Sequence, residues 1–420
     1  MRAFQTSPGM RDILPPESDR WRRFVGVFGD TVSSAGYGLV IAPLLEDIGV
    51  FQRVGEATDV VTKEMYDFVD KGDRHIALRP EQTASVCRAF VQHRPATPWK
   101  VWYSGPNFRY EKPQRGRYRQ FDQVGVEVLG ADDPYLDVEV LALGWQFLRS
   151  LGLRQVSLHL NTLGESEERR LYVEALASYF TKRSAELSEE SRATLARNPL
   201  RVLDSKRELD RPIVAEAPRI GAFLGSRSLE NFAAVQDGLS AIGVPFFVND
   251  TLVRGLDYYR QTTFEYVGET LDSAQNALGG GGRYDSLVEA LGGPPTPGIG
   301  FAIGLDRTLI ACDDEGVFAP VDHVADVFVV DVTGGREALV VSDQLRRLGL
   351  VVERSFDNRS MKSQMKSADR SGARIAVIIG PDEQASGVAV LRWLRDHQDH
   401  PSQETVNRSD LASAIKKALS

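Results

Sequence analysis

Two stretches of the chain, WKVWYSGPNFRYE from Trp99 and YRQFDQVGVEVLG from Tyr118, flank the six residues KPQRGR (112–117). Both runs are rich in valine and aromatic residues, which favour extended backbone. With a glycine-containing connection between them, they predict a strand pair around a hairpin loop or a longer tip. Alternation along the second strand sends Arg119, Phe121, Gln123, Gly125 and Glu127 to one face. That face carries a guanidinium, a ring, an amide and a carboxylate, with Gly125 leaving space between them. A face meant only for core packing is seldom built this way, because a buried charge is costly unless it is paired. The pair therefore calls for a sheet whose surface takes a small ligand of both charge signs.

The charge count around the pair agrees. Between Arg94 and Gln123 lie Arg94, Lys100, Arg109, Lys112, Arg115, Arg117 and Arg119 against Glu111 and Asp122, a local charge of +5. Arginines interleaved with aromatic rings suit a polyphosphate and a stacked purine. The alternative is a solvated, salt-bridged sheet edge, the usual fate of a charge run.

The rest of the chain divides by rhythm. Trp21, Phe24, Val25, Phe28 and Val32 repeat at helical spacing after two prolines, predicting a first helix. From 165 to 240 Glu, Arg, Leu and Ala dominate at helical spacing, predicting a helical insertion. Strand character returns at VPFFVNDTLVRGLDYYRQTTFEYV. The run Gly279–Gly282 follows, with Arg283 and Tyr284 directly after it; it reads as a flexible linker or as backbone kept bare for close approach. It lacks both the phosphate-loop and the dinucleotide glycine patterns. PTPGIGFAIGLDRTLIA reads as a strand entering a helix. After the polar stretch CDDEGVFAPVDHV, strands and helices alternate (ADVFVVDV, REALVVSDQLRRLGL, VVERSF, MKSQMKSADRSG, ARIAVIIG), predicting a small α/β domain with a mostly parallel sheet.

In order and spacing, these segments resemble the histidyl-tRNA synthetase family of the class II aminoacyl-tRNA synthetases. APLLEDIGVFQRVGEATDVVTKEMYDF is similar to motif 1, FRYE with RYRQF to motif 2, and GIGFAIGLDR to motif 3. LVRGLDYYRQTTFEY and GGGGRYDSLV resemble the two histidine-specific motifs, and LRPEQTA the substrate loop. The resemblance implies an α+β fold: a class II catalytic core (1–320) with an antiparallel sheet flanked by helices, the 165–240 insertion within it, and a C-terminal α/β anticodon-binding domain (325–420). It implies a ligase that activates L-histidine with ATP and passes it to tRNA(His).

The same resemblance distributes roles. Arg109 and Arg254 are the implied catalytic residues at the α-phosphate, Arg254 supplying charge that other class II members take from a metal. Glu111, Arg117, Phe121 and Arg307 join Arg109 in binding ATP, with adenine between Phe121 and Arg307. Glu81, Thr83 and Gln123 would take the α-ammonium of histidine; Glu127 and Tyr259 would read its imidazole nitrogens, walled by Tyr258 and Tyr284. Pro43 would lie at a homodimer interface, and Lys112, Gln114 and Arg115 would meet the tRNA acceptor end. Magnesium would arrive with ATP, with no tightly bound metal site in the protein. Three positions depart from the family pattern: Gln82 for glycine, Asp122 for histidine and Asp306 for glutamate. The nearest rival is a catalytically inactive paralogue serving as the regulatory subunit of ATP phosphoribosyltransferase. Such chains lose the arginines and the C-terminal domain, whereas Arg109, Arg254 and Arg307 are present here.

Composition enters as a test of this reading. Apolar residues at 42% and charged residues at 26% of 420 exclude a disordered or collagen-like chain. No apolar run nears the roughly 18 residues of a membrane span, and the N-terminus has no secretory apolar core, so a cytoplasmic protein without a membrane partner is expected. Cys87 and Cys312 form no metal or disulfide pattern. The net charge of -8 alone argues against nucleic acid. Locally, however, 94–123 carries +5 and 343–374 carries +4, leaving -17 for the remainder. Positive charge thus concentrates where ATP and tRNA would dock, and the acidic remainder disfavours non-specific RNA binding.

Overall fold

The computed structural model describes residues 4–55, 61, 63–253, 258–272, 275–321, 324–395 and 402–419. The chain forms two compact units, Met1–Pro320 and Val321–Ser420.

In the first unit the strands are β1 (Gly38–Leu39), β2 (Leu45–Asp47), β3 (Tyr66–Val69), β4 (His75–Leu78), β5 (Trp99–Phe108), β6 (Gln120–Leu129), β7 (Val156–Thr162), β8 (Phe247–Val248), β9 (Arg260–Gly268), β10 (Ala277–Arg283) and β11 (Gly298–Gly304). Eight of them make one sheet in the order β1-β5-β6-β11-β10-β9-β7-β8. Its interior pairings are antiparallel, and only the edge pairs β1–β5 and β7–β8 are parallel. β2, β4 and β3 form a separate small sheet. Val124, Val126 and Val128 of β6 point into the core, where they meet Phe24 and Phe28 of the helix Glu17–Ser33 and Phe147 of the helix Pro134–Ser150. One face of the sheet is thereby closed by helices, and the alternate residues of β6 are left for the other face.

The glycine run is strand, not linker. Gly279–Gly282 lie inside β10, paired on both sides with β9 and β11. Glycine normally weakens a strand, but here neighbouring backbone comes too near for anything else. A Cβ on Gly281 would lie 2.7 Å from the Cα of Phe301.

The 165–240 segment is helical, beginning with Ser166–Lys182. Tyr172, Leu176, Phe180, Leu200, Val202 and Ile213 form a small core of their own. The last helix, Ser226–Ala241, instead buries Val235 and Leu239 in the main core. The self-contained part of the insertion is therefore shorter than the helical composition implies.

The second unit holds β12 (Val327–Asp331), β13 (Val352–Arg354), β14 (Ile375–Ile379), β15 (Val388–Trp393) and β16 (Gln403–Asn407) in the order β13-β12-β14-β15-β16. The first three strands are parallel, whereas β14–β15 and β15–β16 are antiparallel. The expectation of a mostly parallel sheet is corrected to a mixed one. The helix between β14 and β15, Pro381–Ser386, has only six residues, too few for a crossover that would return the chain in the same direction.

Candidate active site

The face of the large sheet opposite the helices opens into a cleft of about 510 Å³. β6 supplies Phe121, Gln123 and Glu127 to it by alternation, while β5, β10 and β11 and the start of the helix Leu305–Glu315 complete its walls.

Glu127 lies at the floor, 1% exposed. Its Oε1 accepts from the hydroxyls of Thr83 (2.7 Å) and Tyr103 (3.2 Å), and its Oε2 accepts from Tyr284. Burial pushes its carboxyl up to about 8, against the pull of these hydroxyls. The room for this carboxyl is made by Gly300, where a Cβ would run into it. Tyr258 packs against Tyr259 and Tyr284, with centroids 4.7 and 5.7 Å apart. The buried hydroxyl of Tyr258 has no hydrogen-bond partner of normal geometry among the described residues. A buried hydroxyl without a partner is costly, and it fits a polar ligand group reaching this depth.

A raised carboxyl has a thermodynamic consequence. The folded chain holds the Glu127 proton up to about pH 8, the unfolded chain only to its ordinary value near 4.5. Stability from this group is therefore full below pH 4.5 and is lost as pH rises through 8. Relative to Glu127→Gln, the ligand-free wild type should lose stability between pH 5 and 8 in urea melts; parallel pH curves for the two would contradict this.

Glu81 accepts from the backbone N–H groups of Thr83 (2.6 Å) and Ala84 (2.9 Å), capping the helix Thr83–His93. The substitution at Gln82 does not disturb this turn. Its φ of -108° suits any residue, and its side chain donates to the carbonyl of Gly105 at 3.3 Å. Gln123 is held by Asn107, whose amide donates to its Oε1 at 2.8 Å.

At the opposite end lie Arg109, Arg117 and Arg307. Arg109 donates to the carbonyl of Pro80 at 2.9 Å, and its guanidinium sits 5.2 Å over the Phe121 ring. Arg117 is paired with Glu111. Arg307 donates to the carbonyls of Gly116 and Ala277, both at 3.2 Å. Burial, then the charges of Arg117 and Arg109, pull the Arg307 guanidinium below its ordinary range. Guanidinium groups that repel one another in a partly buried cleft are an anion site in waiting.

Several expected placements change. Arg119 turns from the cleft to stack on Tyr110 at 3.8 Å, because it precedes the first residue of β6 and alternation holds only within the strand. The space over Gly125 is taken: a Cβ there would lie 2.5 Å from the Phe301 carbonyl and from Tyr103 Cζ. The β5–β6 ladder ends at the pair Phe108–Gln120, so the connection spans 109–119 and is longer than KPQRGR. In it Lys112, Gln114 and Arg115 are exposed, and Arg115 lies 3.6 Å from Asp314. Pro43 is exposed beside Ile41 and Leu44. Arg254 lies outside the described residues.

A family model described as histidyl-tRNA synthetase matches residues 9–308, and a second, described as anticodon binding domain, matches 326–418. The chain belongs to the histidyl-tRNA synthetase family. It is 44% identical over 426 aligned positions to the histidine–tRNA ligase of Geobacillus kaustophilus, covering 99% of each, and 42% identical over 403 to that of Streptococcus pyogenes, covering 94% of each. Its fold matches a histidyl-tRNA synthetase of S. aureus with a TM-score of 0.82 at 34% identity, covering 99% of this chain and all of that one. A Bacillus halodurans C structure described as an ATP phosphoribosyltransferase regulatory subunit/histidyl-tRNA synthetase shares the fold, with a TM-score of 0.62 at 21% identity. It covers 84% of this chain and 93% of that one.

Sequence reasoning missed Tyr103, Asn107, Arg201 and Asp204. Tyr103 stands opposite Gly125 in the β5–β6 register, so the pairing of the two runs held the signal. Arg201 and Asp204 line the cleft from the insertion, with no local pattern to mark them. Among the described residues no three His, Cys, Asp or Glu side chains gather as a metal site, and no helix is long and apolar enough to cross a membrane.

Proposed function

We propose that the chain is a histidine–tRNA ligase that forms histidyl-adenylate from L-histidine and ATP and then charges tRNA(His). The observation that carries this reading is one cleft with a repelling guanidinium cluster at one end and a hydroxyl-ringed carboxyl at the other.

The first end suits magnesium-bound ATP, a substrate. Arg109 at the α-phosphate and Arg117 and Arg307 at the distal phosphates neutralise charge that grows as a histidine carboxylate oxygen attacks phosphorus and the bond to pyrophosphate breaks. Such transfers need alignment and charge compensation more than covalent help. Phe121 offers a platform for adenine beside Glu111. Arg254 acts at the same phosphate by its resemblance to the family arginine. At the second end, Glu127 and Tyr259 read the imidazole, one ring nitrogen donating and the other accepting. Tyr258 and Tyr284 form the wall; Glu81, Thr83 and Gln123 take the α-ammonium. In the second step the terminal ribose hydroxyl of the tRNA attacks the acyl carbon and AMP leaves.

The exposed loop with Lys112, Gln114 and Arg115 meets the acceptor end. The exposed apolar residues Leu39, Ile41, Leu44 and Leu45 around Pro43 support a homodimer, since patches of this kind mark interfaces. The two unpaired, buried cysteines suit the reducing cytoplasm.

The test is charging. Purified chain with ATP, magnesium, labelled histidine and bacterial tRNA should yield histidyl-tRNA. A regulatory paralogue would yield none, and that result would overturn the reading.

A further inference from the structure

We propose that Arg11 is a positioning residue for the nucleotide end of the cleft, holding Asp306 and Tyr118 so that the cleft's own carboxylates do not face the polyphosphate unscreened. The inference rests on the reading of that end as an ATP site.

Arg11 lies in the segment ahead of the first helix, yet it reaches three other elements. Its guanidinium pairs with Asp306 at the start of the helix Leu305–Glu315. It lies 4.3 Å over the Tyr118 ring, donates to the Tyr118 hydroxyl at 3.2 Å, and sits 6.0 Å from the Trp21 ring. The segment is tied down beside it, where the Arg119 N–H donates to the Gly9 carbonyl at 2.8 Å. Gly9 has φ +80°, and a Cβ there would lie 2.7 Å from Arg119 Cγ, so only glycine brings the segment this close.

The partners are the neighbours of the phosphate arginines. Asp306 precedes Arg307, and Tyr118 follows Arg117. Asp306 and Asp122 both line the cleft. The charged groups facing Asp306 are Arg11, Asp122 and Arg307; those facing Asp122 are Asp306, Arg79 and Arg11. Arg11 is thus a cation common to two carboxylates that would otherwise repel an incoming polyphosphate. Asp306 is 8% exposed, so its charge is poorly screened by solvent, while Arg11 is 42% exposed.

The test is calorimetric titration with magnesium-ATP, which needs no amino acid or tRNA. Arg11→Ala should weaken ATP binding about five- to tenfold, and Arg11→Lys should recover most of it. Histidine binding to Arg11→Ala should stay within about twofold of wild type. In an Asp306→Asn background the Arg11→Ala penalty should shrink, the mark of coupling between the pair. Equal ATP affinity in wild type and Arg11→Ala would overturn the inference alone. So would an equal penalty in both backgrounds, or a loss of histidine binding matching that of ATP, which would mark a merely structural role. A wild type that bound no ATP would overturn the reading of the cleft and this inference with it.

Discussion

Replacing Glu127 with glutamine is expected to lower kcat/KM for histidine by about 10³- to 10⁴-fold, with the KM for ATP moved by less than about threefold. The size follows from burial and from the number of partners. Thr83, Tyr103 and Tyr284 all direct hydroxyls at this one carboxyl. The carboxyl can give up its proton and accept from the imidazole N–H, whereas an amide keeps both its N–H groups and offers one acceptor fewer, leaving buried polar groups unpaired. In the proposed reading ATP meets the other end of the cleft, so its KM should barely move. ATP–pyrophosphate exchange at varied histidine and ATP checks both numbers. A loss under about tenfold, or one shared equally by both substrates, would remove Glu127 from imidazole recognition.

The second large effect belongs to Arg109. Arg109→Ala should lower kcat for adenylate formation by about 10²- to 10³-fold, the scale of losing one preorganised charge at a reacting centre. Arg109 is held against the Pro80 carbonyl and over Phe121, so its position is set before ATP arrives. Its removal also relieves the repulsion on Arg307, so the fold should gain or lose little by the change. Single-turnover adenylate formation and a thermal melt together check this. A kcat within about threefold of wild type, with an intact fold, would assign the α-phosphate to another residue.

Much of the site was legible because one strand carries it. Phe121, Gln123 and Glu127 share a face by alternation alone, and β6 keeps that register without a bulge. Arg119 broke the pattern by standing one residue before the strand. The glycine run was ambiguous for a physical reason. Glycine disfavours strands, and the close approach of β9 and β11 explains it at Gly279, Gly281 and Gly282 of this interior strand. The direction of β15 was equally hidden, since it depends on how few residues follow β14. Arg11 and Arg201 could not be read locally at all. Arg201 lines the cleft and Arg11 holds Asp306 and Tyr118 on its wall, each from a segment whose own spacing says nothing about its neighbours in space. The net charge illustrates the same point, because docking is governed by where charge sits and the total of -8 conceals two positive regions.

The central claim is that one cleft couples a polyphosphate-binding end to an imidazole-reading end. ATP–pyrophosphate exchange by the purified chain, run separately with each of the common amino acids, tests it most directly. The account predicts magnesium-dependent exchange with histidine and background with the others. Exchange with a different amino acid, or none with histidine, would contradict it.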